Sequence, residues 1–435
     1  MLAAAGSAVG LGNIWGFPTQ VAENGGASFI LIYLICCFAV GLPVMIAEFA
    51  IGRHTRRNPV GAFKKLGSGW FPPLIGLWGV LCGVMILSFY LVVAGWTFGF
   101  VFEEIFYFSG LTAASGWVAD LGNGFKNAIF TVLFMLATIA IITGGVSNGI
   151  ERATKTMMPI LIAVLIIMIF YVFTFRGSMD GLRLYLLPDF SAINTNLVFA
   201  ALGQAFFSLS LGMGALLTYG SYLKKNQNIV ESATYVTLAD VGIAFLAGLL
   251  IIPAMFVAQY SGITIMDDEG RLFASTTLVF DVLPNLFKSM GGFFGLLFGT
   301  SFFILLSMAA LTSTISLLEV PVSYIIDEHK VPRKKAAAGV GGLVMLFAVI
   351  ISFNINLIDV LATIFNNVGL PLGGLMLCVF LAWFWKSENA MDEIRHGFED
   401  MDRGFFPKIW PIFVKYICPL LIALVLITTL YNLIT

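Results

Sequence analysis

The chain has 435 residues, of which 59% are hydrophobic and 11% are charged, and its formal net charge is −1. An average soluble chain carries roughly 25% charged residues, so this composition excludes an ordinary soluble protein and indicates one that spans a lipid bilayer. The Lys and Arg residues lie between apolar runs rather than in one patch, which argues against nucleic acid as a partner.

Apolar runs of about 17 to 25 residues, the length needed to cross a hydrocarbon core ~30 Å thick, follow one another along the whole sequence. We therefore predict an all-α polytopic membrane protein with a single transmembrane domain over residues 1–435. It has eleven predicted segments, which are 1–21, 28–51, 73–102, 127–143, 157–175, 197–222, 234–259, 292–326, 337–353, 357–385 and 413–430.

The connecting loops form two alternating sets that differ in positive charge. The positive-inside rule places the basic set in the cytoplasm, which predicts a cytoplasmic N-terminus and an extracellular C-terminus in a plasma-membrane protein. The basic set holds Arg53, Arg56, Arg57, Lys64, Lys65, Arg152, Lys155, Lys224, Lys225, Lys330, Arg333, Lys334, Lys335, Lys386, Arg395, Arg403 and Lys408. The other set holds Lys126, Arg176, Arg183, Arg271 and Lys288.

The residues that usually carry catalysis or bind transition metals are badly placed for either. All five cysteines lie inside apolar runs, which predicts neither a disulfide framework nor a zinc cluster. His54, His329 and His396 all fall in predicted cytoplasmic loops, so no catalytic triad can be assembled from them. We predict that the protein is not an enzyme.

Two segments carry closely spaced glycines and polar residues in mid-membrane. They are Gly6-Ser-Ala-Val-Gly-Leu-Gly-Asn13 in the first and Ser208-Leu-Ser-Leu-Gly-Met-Gly214 in the sixth. Glycine costs a helix ~1 kcal/mol relative to alanine, and freed backbone groups are tolerable in lipid only where they line a cavity or meet a ligand. We predict that both helices break there. The alternative is close helix packing through small residues spaced like Gly6 and Gly10.

The two predicted breaks stand first in successive units of five segments. This order predicts a 5+5 inverted-repeat transporter fold, with broken helices 1 and 6 and a midplane site between them. The first repeat would cover 1–175 and the second 197–385. The remaining stretch, 407–435, would form a peripheral eleventh helix.

The run Gly10-Leu-Gly-Asn-Ile-Trp-Gly-Phe-Pro18, followed by Glu23-Asn-Gly-Gly26, resembles the first-helix signature of the neurotransmitter:sodium symporter family. Further matches lie at 203–212 and 309–313, and at Tyr90 ahead of Gly95-Trp96. Eleven segments, with Met213 and Asp240, resemble the bacterial multihydrophobic amino-acid transporters of that family. The resemblance implies sodium-coupled symport of hydrophobic L-amino acids, aliphatic and aromatic, by alternating access.

The same resemblance implies two sodium ions bound by oxygen ligands, the kind that hard cations prefer. The first ion would take the Ala8 carbonyl, the Asn13 amide oxygen, Ser208, Asp240 and the carboxylate of the substrate. The second would take the Gly6, Val9 and Ala309 carbonyls with Thr312 and Ser313. Judged without the family, the last two hydroxyls could equally well bond to their own helix.

The substrate carboxylate suits the N–H groups of Leu11 and Gly12 at a half-helix N-terminus, where the helix dipole favours negative charge, with the Tyr90 hydroxyl as a third donor. The ammonium would face the carbonyls of Ala8, Phe207 and Ser208. Side-chain selectivity would come from an apolar wall that includes a flexible methionine. By resemblance, the members of this wall are Ile86, Phe207, Ser210, Met213, Ser313 and Leu317.

Asp240 stands where other family members have a neutral asparagine, and Ala244 stands one turn later, where chloride-independent members often have glutamate. A carboxylate in the membrane is costly without a cation. We therefore expect Asp240 to act as sodium ligand and counter-charge together, which predicts no chloride requirement. The alternative is an aspartate that only bonds to neighbouring hydroxyls.

The family's outer gate pairs an arginine with an acid. Here Gly16 occupies the arginine position while the acid, Asp359, is kept, so we expect Gln20 or Phe207 to close the outer path instead. Ser221, Tyr222 and Asp327 match the inner gate. Gly149 and Pro159 match a spacing that permits local unwinding of the fifth segment.

The residues before Gly6 make about 7.5 Å of helix, too little to cross the inner leaflet, so we expect a truncated or misassigned N-terminus. Two other functions remain open: a non-transporting amino-acid sensor of the same fold, and a proton-coupled permease, against which Thr312 and Ser313 argue. The substrate range, sodium stoichiometry and oligomeric state stay undetermined. The expected partners are a hydrophobic amino acid and the lipid bilayer.

Overall fold

The structure is a computed structural model that describes residues 8–260, 262, 264–265, 278–398 and 404–434. Within these ranges every regular element is helical, which confirms the all-α class. Nine of the described helices are long and apolar enough to cross a membrane. The first and sixth predicted segments are instead divided into shorter pieces. Gly6 and the start of the first segment lie outside the described residues.

The first half of the chain contains helices α1 to α8. Their bounds are Phe17–Glu23 for α1, Ala27–Thr55 for α2, Pro59–Leu66 for α3, Phe71–Phe108 for α4, Thr112–Ala119 for α5, Gly124–Thr143 for α6, Arg152–Val172 for α7 and Ser178–Leu186 for α8. Two π-helical turns, Gly12–Gly16 and Val146–Glu151, lead directly into α1 and α7.

The second half contains helices α9 to α17. Their bounds are Thr195–Ser208 for α9, Ala215–Tyr222 for α10, Ile229–Tyr260 for α11, Leu278–Met290 for α12, Gly292–His329 for α13, Arg333–Ser352 for α14, 356–386 for α15, Ser387–Arg395 for α16 and 406–434 for α17. Helices α15 and α16 are distinct because Lys386 between them has a φ of 70°.

The order of the membrane-crossing helices follows the predicted repeat plan. The first five crossings are the first segment with α1, then α2, α4, α6 and α7. The second five are α9 with α10, then α11, α13, α14 and α15. Helices α4 and α13, each 38 residues long and third in its set, pack along one another at the centre, whereas α17 packs on α15. The domain limits at 175, 197, 385 and 407 stay a prediction.

Several helices begin or end away from the predicted positions because of capping residues. Helix α6 begins at Gly124 rather than at 127, since the Asn123 side chain accepts the Lys126 N–H at 3.0 Å. Helix α3, in a predicted loop, begins at Pro59 and is capped by Asn58, whose oxygen accepts the Gly61 N–H at 3.0 Å. Short amphipathic helices in loops have too few residues to give a clear apolar run.

The loops of the basic set meet at one face of the bundle. Arg53 at the end of α2 bonds Glu393 of α16 through Nε at 2.6 Å, and its guanidinium also bonds the carbonyls of Gln227 and His396. Arg333 of α14 bonds the Ile142 carbonyl at the end of α6. Asp327, just before the fourth basic loop, accepts the N–H of Asn58 in the first, so all five basic loops lie at one face of the bundle, which agrees with the alternation of the segments. That this side is cytoplasmic stays a prediction.

Helix α10 lies against α2 with no side chain between their backbones at the crossing point. A methyl group on Gly52 would overlap the Leu217 carbonyl oxygen and lie 2.9 Å from the Ser221 nitrogen. A methyl group on Gly220 would lie 2.9 Å from the Phe49 Cα. Both positions therefore require glycine because of close approach.

This contact predicts that Gly52→Ala destabilises the protein by about 1–3 kcal/mol, since the added methyl must push two backbones apart. The matched control is Gly242→Ala in α11, where the new methyl meets no atom within 4 Å. We expect the control to keep the stability or to raise it by up to about 1 kcal/mol, because alanine favours the helix more than glycine does. Thermal unfolding of the purified proteins in detergent measures both. Equal midpoints for the two variants would contradict the packing argument.

Candidate functional site

The sixth segment breaks between α9 and α10, at residues 209–214. Ser210, Gly212 and Gly214 all have positive φ, of 56°, 77° and 76°, so the chain leaves the right-handed helix three times in five residues. Glu48 of α2, fully buried, accepts the Gly212 N–H at 2.8 Å and the Leu217 N–H at 3.3 Å. The break is thus held open by a carboxylate at the N-terminus of α10, where the helix dipole favours negative charge.

The first segment breaks at Val9 and Gly10, which are bends between the helical Ala8 and the turn of Gly12–Gly16. The Asn13 side-chain oxygen accepts the Gly10 N–H at 2.8 Å. The Leu11 N–H donates to the Tyr90 hydroxyl at 3.0 Å. Both predicted breaks are therefore present in the described residues.

Asp240 of α11 is the centre of a buried polar cluster that joins both breaks. Its carboxylate accepts the Asn13 Nδ2 at 2.6 Å, the Ser208 hydroxyl at 2.9 Å and, more weakly, the Tyr33 hydroxyl at 3.3 Å. Asn13 thus directs its amide nitrogen at Asp240, while its amide oxygen, the predicted sodium ligand, accepts the Gly10 N–H. In the part of the chain that the structure describes, all hydrogen-bond partners of this carboxylate are neutral.

Thr312 of α13 is the centre of a second cluster. Its hydroxyl donates to the Ala309 carbonyl of its own helix at 2.8 Å, which is one of the two alternatives, and it lies 2.9 Å from the Val9 carbonyl oxygen. Its role as a sodium ligand stays a prediction. Ser313, the next residue, packs directly against Gly10, where a methyl group would overlap its hydroxyl. Four of the five residues predicted for this group are therefore neighbours; the fifth, Gly6, lies outside the described residues.

A small cavity lies between the two breaks and α4 and α13. Of the residues predicted to contact a substrate, only Leu11 does not line it, and Ala215 and Ser316 were not predicted. The lining consists of Ala8, Gly12, Ile86, Tyr90, Phe207, Ser208, Ser210, Met213, Ala215, Ser313, Ser316 and Leu317. The lining combines hydroxyl groups with apolar side chains, and this combination suits an amphipathic small molecule.

Phe207 separates this cavity from an open vestibule of about 580 Å³, since it lines both spaces. The vestibule is lined by Glu23 and Asp359 but by no Lys or Arg side chain among the described residues. Gln204 lies beside Gly16, and its Nε2 donates to the Gly12 carbonyl at 2.9 Å. Gln20, the other candidate for closing the outer path, also lines the vestibule and bonds Glu23 at 2.7 Å.

The three residues predicted for the inner gate are all engaged at the basic face. The Ser221 carbonyl accepts from Arg56 at 3.1 Å. The Tyr222 hydroxyl donates to Glu319 at 2.8 Å, and Glu319 is also paired with Arg333. Asp327 accepts the backbone N–H of Asn58 at 3.0 Å. These contacts join the loops that follow α2, α10 and α13. The role of the three residues as an inner gate stays a prediction.

The predicted unwinding pair lies at the start of the fifth crossing. Gly149 is part of the π-helical turn Val146–Glu151, and Pro159 lies inside α7. A π turn and an internal proline both weaken the regular ladder of backbone hydrogen bonds.

Two residues of the site, Tyr33 and Gln204, escaped the sequence analysis. A tyrosine or glutamine in the middle of an apolar run needs a hydrogen-bond partner when buried, and that is the one signal that marks these side chains. The sequence does not indicate which residue the partner is, because the partners lie far away in the chain.

Comparison with known proteins places the chain in one family. The family model described as the sodium:neurotransmitter symporter family matches residues 1–119 and 103–435. The uncharacterized sodium-dependent transporter YhdH of Bacillus subtilis is 33% identical over 98% of this chain and 94% of its own length. An uncharacterized sodium-dependent transporter of Methanocaldococcus jannaschii is 31% identical over 100% of this chain and 89% of its own length.

Among solved structures, the crystal structure of MhsT in complex with L-phenylalanine is 38% identical in sequence and superimposes with a TM-score of 0.87. The match covers 98% of this chain and 97% of MhsT. Fold and sequence agree over almost the whole length of both chains. This chain is a multi-pass membrane protein of the sodium:neurotransmitter symporter family.

Proposed function

We propose that the protein is a sodium-coupled symporter of hydrophobic amino acids, aliphatic and aromatic, that works by alternating access. The observation that carries the proposal is the shared position of two oxygen-rich clusters and one amphipathic cavity at the paired helix breaks. Family membership supports sodium coupling. The structural neighbour MhsT was crystallised with L-phenylalanine, which supports a hydrophobic amino acid as the substrate class.

In this proposal the second sodium ion binds among the Val9 and Ala309 carbonyls and the Thr312 and Ser313 hydroxyls, with the Gly6 carbonyl as a further ligand. The Thr312 hydroxyl already brings the two carbonyl oxygens within 2.9 Å of itself. A cation there would tie the first helix to α13, so that binding energy holds the two elements in one arrangement.

The first sodium ion binds between Ala8, Asn13, Ser208 and Asp240, next to the substrate carboxylate. For this, the Asn13 amide turns about its terminal torsion so that the oxygen replaces the nitrogen that now faces Asp240. The cation then takes the place of the amide hydrogens as the partner of the carboxylate. Since the same ion also contacts the substrate, ion binding and substrate binding support each other.

The substrate would bind with its carboxylate at the Leu11 and Gly12 N–H groups and the Tyr90 hydroxyl, which now accepts from Leu11. Its ammonium would face the carbonyls of Ala8, Phe207 and Ser208. The side chain would extend past Met213 toward Ala215 and Ser316. Phe207, between cavity and vestibule, would act as the outer lid, and Ser221, Tyr222 and Asp327 would form the inner gate.

The first prediction for this proposal concerns the second ion. The double variant Thr312→Val, Ser313→Ala removes two hydroxyl ligands while keeping the side-chain volume nearly unchanged, so we expect sodium-driven accumulation of radiolabelled leucine in proteoliposomes to be lost. The matched control is Thr314→Val on the same helix, whose hydroxyl faces Thr138 instead. We expect the control to accumulate leucine. An unchanged sodium dependence in the double variant would rule out this ion site.

The second prediction concerns substrate range. Methionine adapts its shape, so phenylalanine and tryptophan should both displace labelled leucine from the wild-type protein. Met213→Phe, which places a rigid ring in the same wall, should weaken competition by the two aromatic amino acids more than competition by leucine. Competition assays across a concentration series measure this. If neither aromatic amino acid displaces labelled leucine from the wild-type protein, the predicted breadth of the substrate range is wrong.

The third prediction concerns chloride. Asp240 supplies a fixed negative charge next to the first ion, and Ala244 one turn later is buried and neutral. Uptake should therefore proceed at the same rate in chloride and in gluconate. Asp240→Asn removes the counter-charge and should lose uptake unless chloride replaces it. Wild-type uptake that collapses in gluconate would refute the role given to Asp240.

A further inference from the structure

Two adjacent glutamates at the end of α4 far from the basic face are both fully buried. Glu103 and Glu104 are 0% exposed. Glu103 is compensated, because its Oε1 accepts the Lys288 Nζ at 2.7 Å and the Ser115 hydroxyl at 2.8 Å. The same ammonium lies 4.7 Å from the centre of the Tyr107 ring. Glu103 therefore has a cationic partner, Lys288.

Glu104 has no such partner. Its carboxyl group faces Gly299 of α13, where a methyl group would come within 3.0 Å of both oxygens. Neither oxygen of Glu104 has a hydrogen-bond partner in the ranges that the structure describes, and Oε2 of Glu103 has none either. The charged groups that act on Glu104 are Glu103 from its own helix and Lys288 from α12; α13 presents the uncharged Gly299.

The charges of this cluster do not balance. Two ionised carboxylates and one ammonium would leave a net buried charge of −1, and an uncompensated buried carboxylate is so costly that it takes up a proton instead. A metal ion is a poor alternative, since it needs several oxygen ligands and room for them. The contact with Gly299 leaves no such room, and no group of three or more His, Cys, Asp or Glu residues suited to a metal occurs in the described residues.

We propose that Glu104 is a proton-binding site at the outer ends of α4 and α13, where it stays a neutral carboxylic acid while Glu103 is the ionised partner of Lys288. The proton comes from water at this face and returns to it, with Lys288, whose side chain is 21% exposed, between the pair and the solvent. The site is separate from the proposed sodium ligands. Losing the proton would leave an unpaired charge in the contact between the two central helices.

This contact matters because α4 carries Tyr90 and α13 carries Thr312, so both helices contribute to the proposed transport site. The folded protein would hold a proton that an unfolded chain, with a glutamate pKa of ~4.3, releases. The folded state therefore binds more protons above that pH, and its stability falls as the pH rises. Alkaline medium at this face should loosen the outer end of the helix pair.

The first experiment follows the thermal midpoint of the purified full chain from about pH 6 to about pH 9, in wild type and in Glu104→Gln. The amide is neutral at every pH, so the variant should lose the alkaline decline that the wild type shows. The matched control is Glu388→Gln, which changes an exposed glutamate of α16 and should keep the decline. A variant with the same pH slope as the wild type would overturn the proposal.

Two further measurements do not depend on that comparison alone. Lys288→Met removes the cation that is paired with Glu103, so that carboxyl group should also take up a proton in the folded state. Stability should then fall more steeply with pH than in the wild type, and an unchanged slope would contradict the proposal. An infrared difference spectrum between wild type and Glu104→Gln at neutral pH should show the loss of a protonated carboxyl band. Loss of a carboxylate band instead would mean that Glu104 is ionised, and it would overturn the proposal.

Discussion

Backbone amides and carbonyls inside a bilayer must find partners within the protein, and this constraint governs the centre of the molecule. Two helices break there, and each break has side chains directed at its freed groups: Glu48 for the N–H groups at the start of α10, Gln204 for the Gly12 carbonyl and Thr312 for the Val9 carbonyl. These partners come from other helices, so the breaks are stable only in the assembled fold. The backbone groups that have no partner within the protein are the ones that a ligand can bind.

Much of this arrangement could be predicted because its causes are local. Glycines within one turn of each other in an apolar run weaken a helix whatever surrounds it, and both breaks occur where Gly10, Gly212 and Gly214 stand. The residues that line the cavity came from the family resemblance, and only Leu11 is directed elsewhere. Ala215 of α10 and Ser316 of α13 also line the cavity, because these two helices pack on one another.

The rest depends on contacts between distant parts of the chain. Tyr33 and Asp240 are 207 residues apart, and Gln204 and Gly12 are 192 apart. No periodic pattern records such pairings. The orientation of the Asn13 amide was also beyond prediction, because it depends on two partners. The Gly10 N–H donates to the amide oxygen, and the Asp240 carboxylate accepts from the amide nitrogen. Loop helices such as α3 depend on single caps rather than on long apolar runs.

The contact between Gly52 and Gly220 has a mechanical consequence. Side chains between two helices can change rotamer and let the helices slide, but here backbone meets backbone, and close-packed interiors transmit strain rather than absorb it. We therefore expect helices α2 and α10 to tilt together as one rigid unit. Glu48 of α2 accepts the Gly212 N–H just before α10, and Arg53 at the end of α2 bonds Glu393 of α16. A motion that opens the basic face would then rotate α2 and α10 together as a rigid body.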